Sequence, residues 1–247
     1  MSEEYTAEYF EKRYGEVLER PYESFQWHTK RFGVEFSMLK PQKNERALDI
    51  GCGLGNITWA LSKRVESCIG IDISEYAIEK AKGFYHNENL KFMVMDATAD
   101  VFPLADQSFD IVVCCELYEH LDAAQGKALL VNAMKALKDN GRILFIAPIN
   151  EELVLSIKGF VFRILGKGEI QSDWTHKRSL TLDEIIDVLR KNGFTNIKWR
   201  ARNAHGKFVS ILVDFVSIIP YIGRQFMGSA VVVGFKDNKK SKRIQKS

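Results

Sequence analysis

A glycine-rich turn and a later aspartate are the residues of this chain best suited to hold a ligand. Residues 51–55 read Gly-Cys-Gly-Leu-Gly after a short apolar run, and Asp72 ends the next apolar run, 21 residues after Gly51. Glycine lets the backbone approach a ligand closely and accepts dihedral angles that a Cβ would forbid. A carboxylate about 20 residues after such a turn is the usual partner of a ribose diol. The spacing therefore predicts a ligand that carries a ribose.

The elements that must position these residues alternate between strands and helices. The apolar pattern predicts five strands, near residues 46–50, 68–73, 90–95, 109–115 and 141–147. It predicts helices near residues 56–65, 74–86 and 123–138. Ser74 is the predicted N-cap of the second helix, and Asn140-Gly141 is predicted to end the third. Apolar strands separated by such helices predict a parallel sheet covered on both faces.

Several polar or small residues lie where these predicted strands end. Ligands of parallel sheets bind beyond the carboxyl ends of the strands. Four predicted strand ends carry Gly51, Asp72, Asp96 and Cys115. We therefore expect these four residues to meet at one site.

The alternating pattern stops after Pro148. Two apolar segments, residues 153–165 and 208–219, lie outside it, and each is shorter than the ~20 residues that a bilayer requires. The remaining predicted elements are a helix and two strands, the last of them antiparallel, over residues 181–189, 194–199 and 229–235.

Composition limits the class of protein. The chain has 247 residues, of which 46% are hydrophobic, enough for one domain with a substantial core. No secretory leader pattern follows Met1, so we expect a cytoplasmic protein. The four cysteines lack metal-ligand spacing and are expected to be reduced core thiols. Six basic residues and one acidic residue lie between Lys236 and Ser247, but the rest of the chain has no basic stripe, so no nucleic-acid partner is predicted.

Five motifs, in order, resemble those of the class I S-adenosylmethionine-dependent methyltransferases. The resemblance covers roughly residues 44–150 and extends more loosely to residue 235. The first motif is the glycine turn at residues 48–55, and the next two are the acids that end the second and third strands, Asp72 and Asp96 with Ala97. The fourth is the fourth-strand region, residues 108–112 with 119–121, and the fifth is the entry to the fifth strand, residues 137–142. The resemblance implies an α/β fold with a doubly wound, seven-stranded, mostly parallel sheet.

The same resemblance implies how the chain is divided. Residues 1–40, which are rich in aromatic side chains and predicted to be largely helical, would form an N-terminal helical lid. Residues 41–236 would form the methyltransferase domain, with a helical cap insertion at about 150–180 and an apolar insertion at about 204–227. The basic residues 237–247 are expected to be a disordered tail.

The resemblance implies S-adenosylmethionine as the cofactor and assigns its contacts. Gly51 and Gly53 would pass under the methionine moiety, and Asp72 would accept hydrogen bonds from both ribose hydroxyls. The full implied set of cofactor-binding residues is Asp49, Gly51, Gly53, Gly55, Asp72, Ile73, Asp96, Ala97 and Cys115. Asp49 would orient the glycine turn, although an ordinary strand-end aspartate is the alternative. A nicotinamide-dependent dehydrogenase is disfavoured, because the glycines follow G-x-G-x-G rather than G-x-G-x-x-G spacing.

Methyl transfer from a sulfonium needs alignment more than it needs a conspicuous catalytic group. A base is required only where the acceptor must lose a proton. His120 and His176 are the candidate catalytic residues, with Glu116 and Glu119 as further candidates. A helix-capping role for His120 and a substrate-contact role for His176, oriented by Asp173, remain open. No carboxylate cluster in the sequence predicts a metal site.

The cap region is similar to that of the ubiquinone-biosynthesis O-methyltransferases, in which His precedes Asp-Trp, whereas residues 173–176 here read Asp-Trp-Thr-His. The preferred function is methyl transfer to a small molecule, with an apolar or prenylated acceptor as one form of it. A protein or RNA methyltransferase and a non-catalytic cofactor-binding module are the alternatives. Peripheral membrane contact and a homodimer formed through the apolar insertion are further expectations.

Overall fold

One seven-stranded sheet organises the part of the chain that the structure describes. The computed structural model describes residues 5–19, 32–104, 107–149, 175–178, 180–202 and 229–237. The strands are β1 (Arg46–Ile50), β2 (Ser67–Asp72), β3 (Leu90–Val94), β4 (Phe109–Cys115), β5 (Leu137–Pro148), β6 (Phe194–Arg202) and β7 (Ser229–Lys236). Their order is β3-β2-β1-β4-β5-β7-β6, with β7 antiparallel to both neighbours and all other pairs parallel. The predicted mostly parallel sheet is confirmed.

Helices cover both faces of this sheet. They are α1 (Ala7–Glu19), α2 (Gly33–Leu39), α3 (Asn56–Ser62), α4 (Glu75–Phe84), α5 (Ala123–Ala136) and α6 (Leu182–Lys191). α5 and α6 bury Leu129 and Ile185 against one face, whereas α2 and α3 bury Leu39 and Leu61 against the other. Burial on both faces explains why the central strands read as continuous apolar runs.

Two helices begin at side-chain caps that can be read from the sequence. Ser74, the predicted N-cap of α4, accepts a hydrogen bond from the backbone nitrogen of Ala77 at 3.3 Å. Thr181 starts α6 with a capping box, in which its hydroxyl and the Glu184 carboxylate each accept a bond from the other's backbone nitrogen. Each cap satisfies N–H groups that a helix leaves without partners. The cap of α4 also fixes where the chain leaves β2.

The boundary between α5 and β5 differs from the prediction. We predicted that Asn140-Gly141 would end the helix before a strand over 141–147, but α5 ends at Ala136 and β5 already begins at Leu137. Leu137 is fully buried and pairs with Phe109, and the register shifts before the next pair of β4 and β5. Asn140 has a φ of 65°, a left-handed conformation that Asn tolerates. The dipeptide therefore marks a bulge inside the strand.

Three predicted segments fall outside the described residues in whole or in large part. They are the cap insertion at about 150–180, the apolar insertion at about 204–227 and the tail over 237–247. Of the helices that the structure describes, none combines the length and the apolar character that crossing a membrane requires.

Candidate active site

A pocket lies where β1, β2 and β4 end, at the edge predicted for ligand binding. Its walls include seven of the predicted cofactor residues, namely Gly51, Gly53, Asp72, Ile73, Asp96, Ala97 and Cys115. His120 also lines this pocket, and α1 and the residues before it close one side with Tyr5, Tyr9, Phe10 and Tyr14. Asp49, Gly55 and His176 are not among the residues that line it. The structure thus brings most of the predicted residues together.

The three glycines of the turn have left-handed backbones for different reasons. Their φ angles are +71° at Gly51, +50° at Gly53 and +82° at Gly55. A Cβ at Gly51 would lie 2.7 Å from Leu117, and one at Gly55 would lie 2.7 Å from the ring of Phe92. At Gly53, by contrast, no heavy atom of the described residues other than Gly53 and its two chain neighbours lies within 4 Å of that position. Gly55 is therefore a packing residue at the start of α3, whereas Gly53 faces open space in the pocket.

A side chain at Gly53 is expected to abolish cofactor binding in a folded protein. Valine there adopts a strained positive φ, at about 1–3 kcal/mol, and its methyl groups enter the pocket. The matched control is Gly83→Val, because Gly83 lies on α4 with nothing near its Cβ position. Calorimetric titration with S-adenosylmethionine checks this, with melting temperatures as the measure of folding. Normal affinity in folded Gly53→Val protein would contradict the assignment.

Two backbone nitrogens, those of Gly53 in the glycine turn and of Ser74 at the start of α4, hold the side chain of Asp72 in place. Its Oδ2 accepts a hydrogen bond from the Gly53 nitrogen at 2.8 Å, and its Oδ1 accepts one from the Ser74 nitrogen at 3.0 Å. Burial raises the pKa of this carboxyl above its ordinary value, although the backbone hydrogen bonds work in the opposite direction. A carboxylate oxygen can accept more than one hydrogen bond, so both oxygens can still accept bonds from a ligand diol.

The side chain of Asp49 bonds to α3, and its role in orienting the glycine turn stays a prediction. Its side chain is fully buried, and Oδ2 accepts a hydrogen bond of 2.6 Å from the Thr58 hydroxyl of α3. Its Oδ1 has no hydrogen-bond partner within the described residues. Burial raises the pKa of Asp49 from 3.8 to about 7, which the Thr58 bond only partly offsets. Asp49 therefore ties β1 to α3 beneath the site and does not line the pocket.

The raised pKa of Asp49 predicts a stability that falls as the pH rises. The folded protein keeps a proton on Asp49 that the unfolded chain releases above about pH 4, so the free energy of unfolding declines through the window from pH 4 to 7. Between pH 5 and pH 8 this loss amounts to about 3 kcal/mol. Asp49→Asn is expected to remove that part of the slope in denaturant unfolding. Identical slopes in both proteins would show that Asp49 does not carry it.

The loop after β3 is positioned by a residue that we did not predict. Oδ1 of Asp96 accepts bonds of 2.7 Å from both the backbone nitrogen and the hydroxyl of Thr98. Asn132, on the buried face of α5, donates to the carbonyl oxygens of Ala97 and Ala99 at 2.9 Å each. The only sequence signal for Asn132 is an amide inside an apolar helical stripe. Together these bonds fix the direction of the Asp96-Ala97 pair at the pocket wall.

The two predicted catalytic histidines contact each other, and one of them, His120, lines the pocket. The ring centroids of His120 and His176 are 4.9 Å apart, and Tyr5 packs edge-on against His120 at 6.0 Å. Burial, with His176 as a second cause, lowers the pKa of His120 to about 4. Burial likewise raises the pKa of Glu119 to about 8, and its Oε2 has no hydrogen-bond partner within the described residues. Burial therefore favours the uncharged forms of both His120 and Glu119.

The same cluster has a geometry that could hold a divalent cation. Glu119, His120 and His176 each offer a ligand atom, and these atoms lie within 4.8 Å of one another. A cation there would favour the ionised form of Glu119. The sequence predicted no metal, because His176 lies 56 residues after His120 and only the tertiary fold brings them together. Asp173, the predicted partner of His176, lies outside the described residues.

Comparisons with known proteins agree with this geometry. Residues 48–145 match the family described as a methyltransferase domain. The ubiquinone biosynthesis O-methyltransferase of Pelagibacter ubique is 33% identical over 164 residues, which cover 63% of this chain and 64% of that protein. The enzyme of the same name from Coxiella burnetii is 32% identical over 131 residues, which cover 51% and 55%. The matches thus span less than two thirds of these relatives' lengths.

Solved structures show the same fold. A SAM-dependent methyltransferase from Archaeoglobus fulgidus superposes with a TM-score of 0.60 at 21% identity, over 90% of this chain and all of that chain. A possible histamine N-methyltransferase from Thermotoga maritima gives 0.59 at 19% identity, over 93% and 99%. At such identities the likeness concerns the fold alone. With these ordered motifs, this sheet topology and these sequence matches, residues 48–145 form a domain of the class I S-adenosylmethionine-dependent methyltransferases, whose cofactor is S-adenosylmethionine.

Proposed function

We propose that this protein transfers a methyl group from S-adenosylmethionine to a hydroxyl group of a small, largely apolar molecule. The observation that carries the proposal is the joining, in one pocket, of the glycine turn and Asp72 with a buried neutral histidine, His120. The names of the matched relatives, which are O-methyltransferases of ubiquinone biosynthesis, support a hydroxyl acceptor and an apolar or prenylated one.

The residues of the pocket fit the cofactor. The open space at Gly53 admits a ligand that a Cβ would displace, and Asp72 can accept hydrogen bonds from a ribose diol beside it. Ile73 and Ala97 offer apolar and backbone contacts to an adenine, with Asp96 as the acceptor for its amino group. When bound, the cofactor supplies an electrophilic methyl group on a sulfonium. Cys115 lines this part of the pocket with a small side chain that leaves room for it.

The acceptor end of the pocket combines an aromatic wall with His120. Tyr5, Tyr9 and Tyr14 line this wall, and the carbonyl oxygen of Tyr5 accepts a 2.7 Å hydrogen bond from the Ser74 hydroxyl. That bond ties the N-terminal segment to the cap of α4, and we propose that this segment acts as a lid that excludes water. His120 lines this end of the pocket and would accept the proton that a hydroxyl acceptor loses as it attacks the methyl group.

A panel of defined acceptors tests this function. The purified protein is given S-adenosylmethionine with a labelled methyl group and a series of phenols and catechols, with or without an isoprenoid chain. We expect transfer to a hydroxyl, with kcat/KM rising with the apolar chain, and no transfer by Asp72→Ala protein. A parallel series with a chelator reports whether the Glu119, His120 and His176 cluster needs a divalent cation. Transfer to none of these hydroxyls would contradict the proposal.

We also propose peripheral membrane contact by the cap segment and pairing of two subunits through the apolar insertion. Support comes from sequence alone, because residues 153–165 are apolar and carry Lys158 and Arg163. Sedimentation with anionic liposomes tests the membrane proposal, with serine at Phe160 and Ile164 expected to weaken association while leaving cofactor affinity unchanged. Analytical ultracentrifugation tests the dimer. A protein that stays in the supernatant, and stays monomeric, would contradict both.

A further inference from the structure

Thr175 presents two oxygen atoms to one ring nitrogen of His120. The Thr175 hydroxyl oxygen lies 3.0 Å from His120 Nδ1, and the Thr175 carbonyl oxygen lies 3.3 Å from the same atom. A hydroxyl can donate or accept, but a carbonyl oxygen can only accept. If Nδ1 carried a lone pair, the carbonyl oxygen would face it without a hydrogen between them. The pair of oxygens therefore favours a proton on Nδ1.

The backbone holds Thr175 in this place. The nitrogens of Lys177 and Arg178 donate to the carbonyl oxygen of Glu119 at 2.9 and 3.1 Å. The guanidinium group of Arg178 lies over the ring of Tyr118, 5.1 Å from its centroid. Thr175 itself is 5% exposed. Residues 175–178 are thus fastened along the turn that carries His120, and the position of the two oxygens is set by more than the Thr175 side chain.

We propose that Thr175 is a positioning residue that fixes His120 as the Nδ1–H tautomer, which leaves the lone pair on Nε2. The tautomer of a histidine is set by the bond that its other nitrogen makes. Accepting a proton from a hydroxyl and ligating a cation both require that lone pair. Only the consequence for turnover rests on the proposed function, because the tautomer is a property of the protein alone.

Nitrogen NMR of the full chain with ¹⁵N-labelled histidines measures the tautomer directly. The resonances of His120 are assigned by their loss in a His120→Gln variant. The proposal expects a protonated Nδ1 and an unprotonated Nε2 in the wild type at neutral pH. The opposite pattern would overturn it. This measurement needs no methyl acceptor, so it tests the tautomer whether or not the protein transfers methyl groups to a hydroxyl.

Substitution of the hydroxyl separates positioning from folding. Thr175→Val keeps the shape of the side chain but removes the nearer of the two acceptors, so that Nδ1–H keeps only the longer bond to the carbonyl oxygen. We therefore expect His120 to shift towards a mixture of tautomers and kcat to fall about tenfold, with KM and cofactor affinity unchanged. Thr175→Ser should restore both the tautomer and the turnover. Thr195→Val is the matched control, because the Thr195 hydroxyl bonds the Phe235 carbonyl oxygen, far from this cluster in the sheet order. A fall in turnover without a change of tautomer, or an unchanged tautomer and turnover in Thr175→Val, would overturn the proposal.

Discussion

Replacing Asp72 by alanine is expected to weaken S-adenosylmethionine binding by about 3–6 kcal/mol, which is a loss of roughly 10²–10⁴-fold. The variant loses two charge-assisted hydrogen bonds to the ribose, each worth about 1.5–3 kcal/mol. It also frees the backbone nitrogen of Gly53, which Asp72 holds at 2.8 Å, so the glycine turn loses its anchor. Calorimetric titration with the cofactor and with its demethylated product measures the effect, and both ligands should be weakened alike.

Two further substitutions control this result. Asp72→Asn keeps the shape but removes the charge and should give an intermediate affinity. Asp100→Ala removes an exposed carboxylate of the loop after β3 that does not line the pocket, and its affinity should match the wild type. Melting temperatures show whether each variant is folded. Wild-type affinity in Asp72→Ala would refute the ribose assignment, and full affinity in Asp72→Asn would show that the charge contributes little.

His120→Gln is expected to lower kcat by about 10²–10⁴-fold, the contribution typical of a positioned general base. Cofactor affinity should stay near the wild-type value, because the glycine turn and Asp72 are untouched. His86→Gln, on an exposed histidine after α4, is the matched control and should keep full turnover. Single-turnover kinetics with labelled cofactor separate the chemical step from binding.

The pH dependence of turnover is a second test of the role of His120. Burial lowers the pKa of His120 to about 4, so the imidazole stays neutral down to that pH. We therefore expect no inflection near pH 6.5 in the turnover of the wild type that His120 causes. Near that pH, the profiles of the wild type and of His120→Gln should have the same shape. Such an inflection would show that His120 titrates near its ordinary pKa and is not shifted by burial. Full turnover by His120→Gln would mean that the acceptor loses its proton elsewhere.

Local patterns in the sequence were enough to predict the framework of the fold. The strands before Gly51 and Asp72 read as apolar runs because both faces of the sheet are covered. Ser74 could be recognised as a cap because capping depends on neighbouring residues only. The end of β5 nearest α5 was misplaced, because an Asn-Gly pair marks a bulge as readily as it marks a turn.

The parts of the site that depend on distant contacts could not be predicted in this way. Asp49 meets Thr58 only once α3 packs beneath β1, and nothing in the spacing of a turn shows that pair. Asn132 reaches the loop after β3 from a helix 35 residues later in the chain. His120 and His176 were each predicted as candidates, but their mutual contact depends on how residues 175–178 return to the sheet edge.

Transfer of a labelled methyl group into a fractionated extract shows which class of molecule accepts the methyl group. The extract is incubated with the protein and labelled S-adenosylmethionine and is then separated into lipid-soluble, water-soluble small-molecule, protein and RNA fractions. The proposed function predicts label in a small-molecule fraction, mainly the lipid-soluble one, and none with the Asp72→Ala variant. Label confined to protein or RNA, or no transfer by a wild-type protein that binds the cofactor, would contradict it.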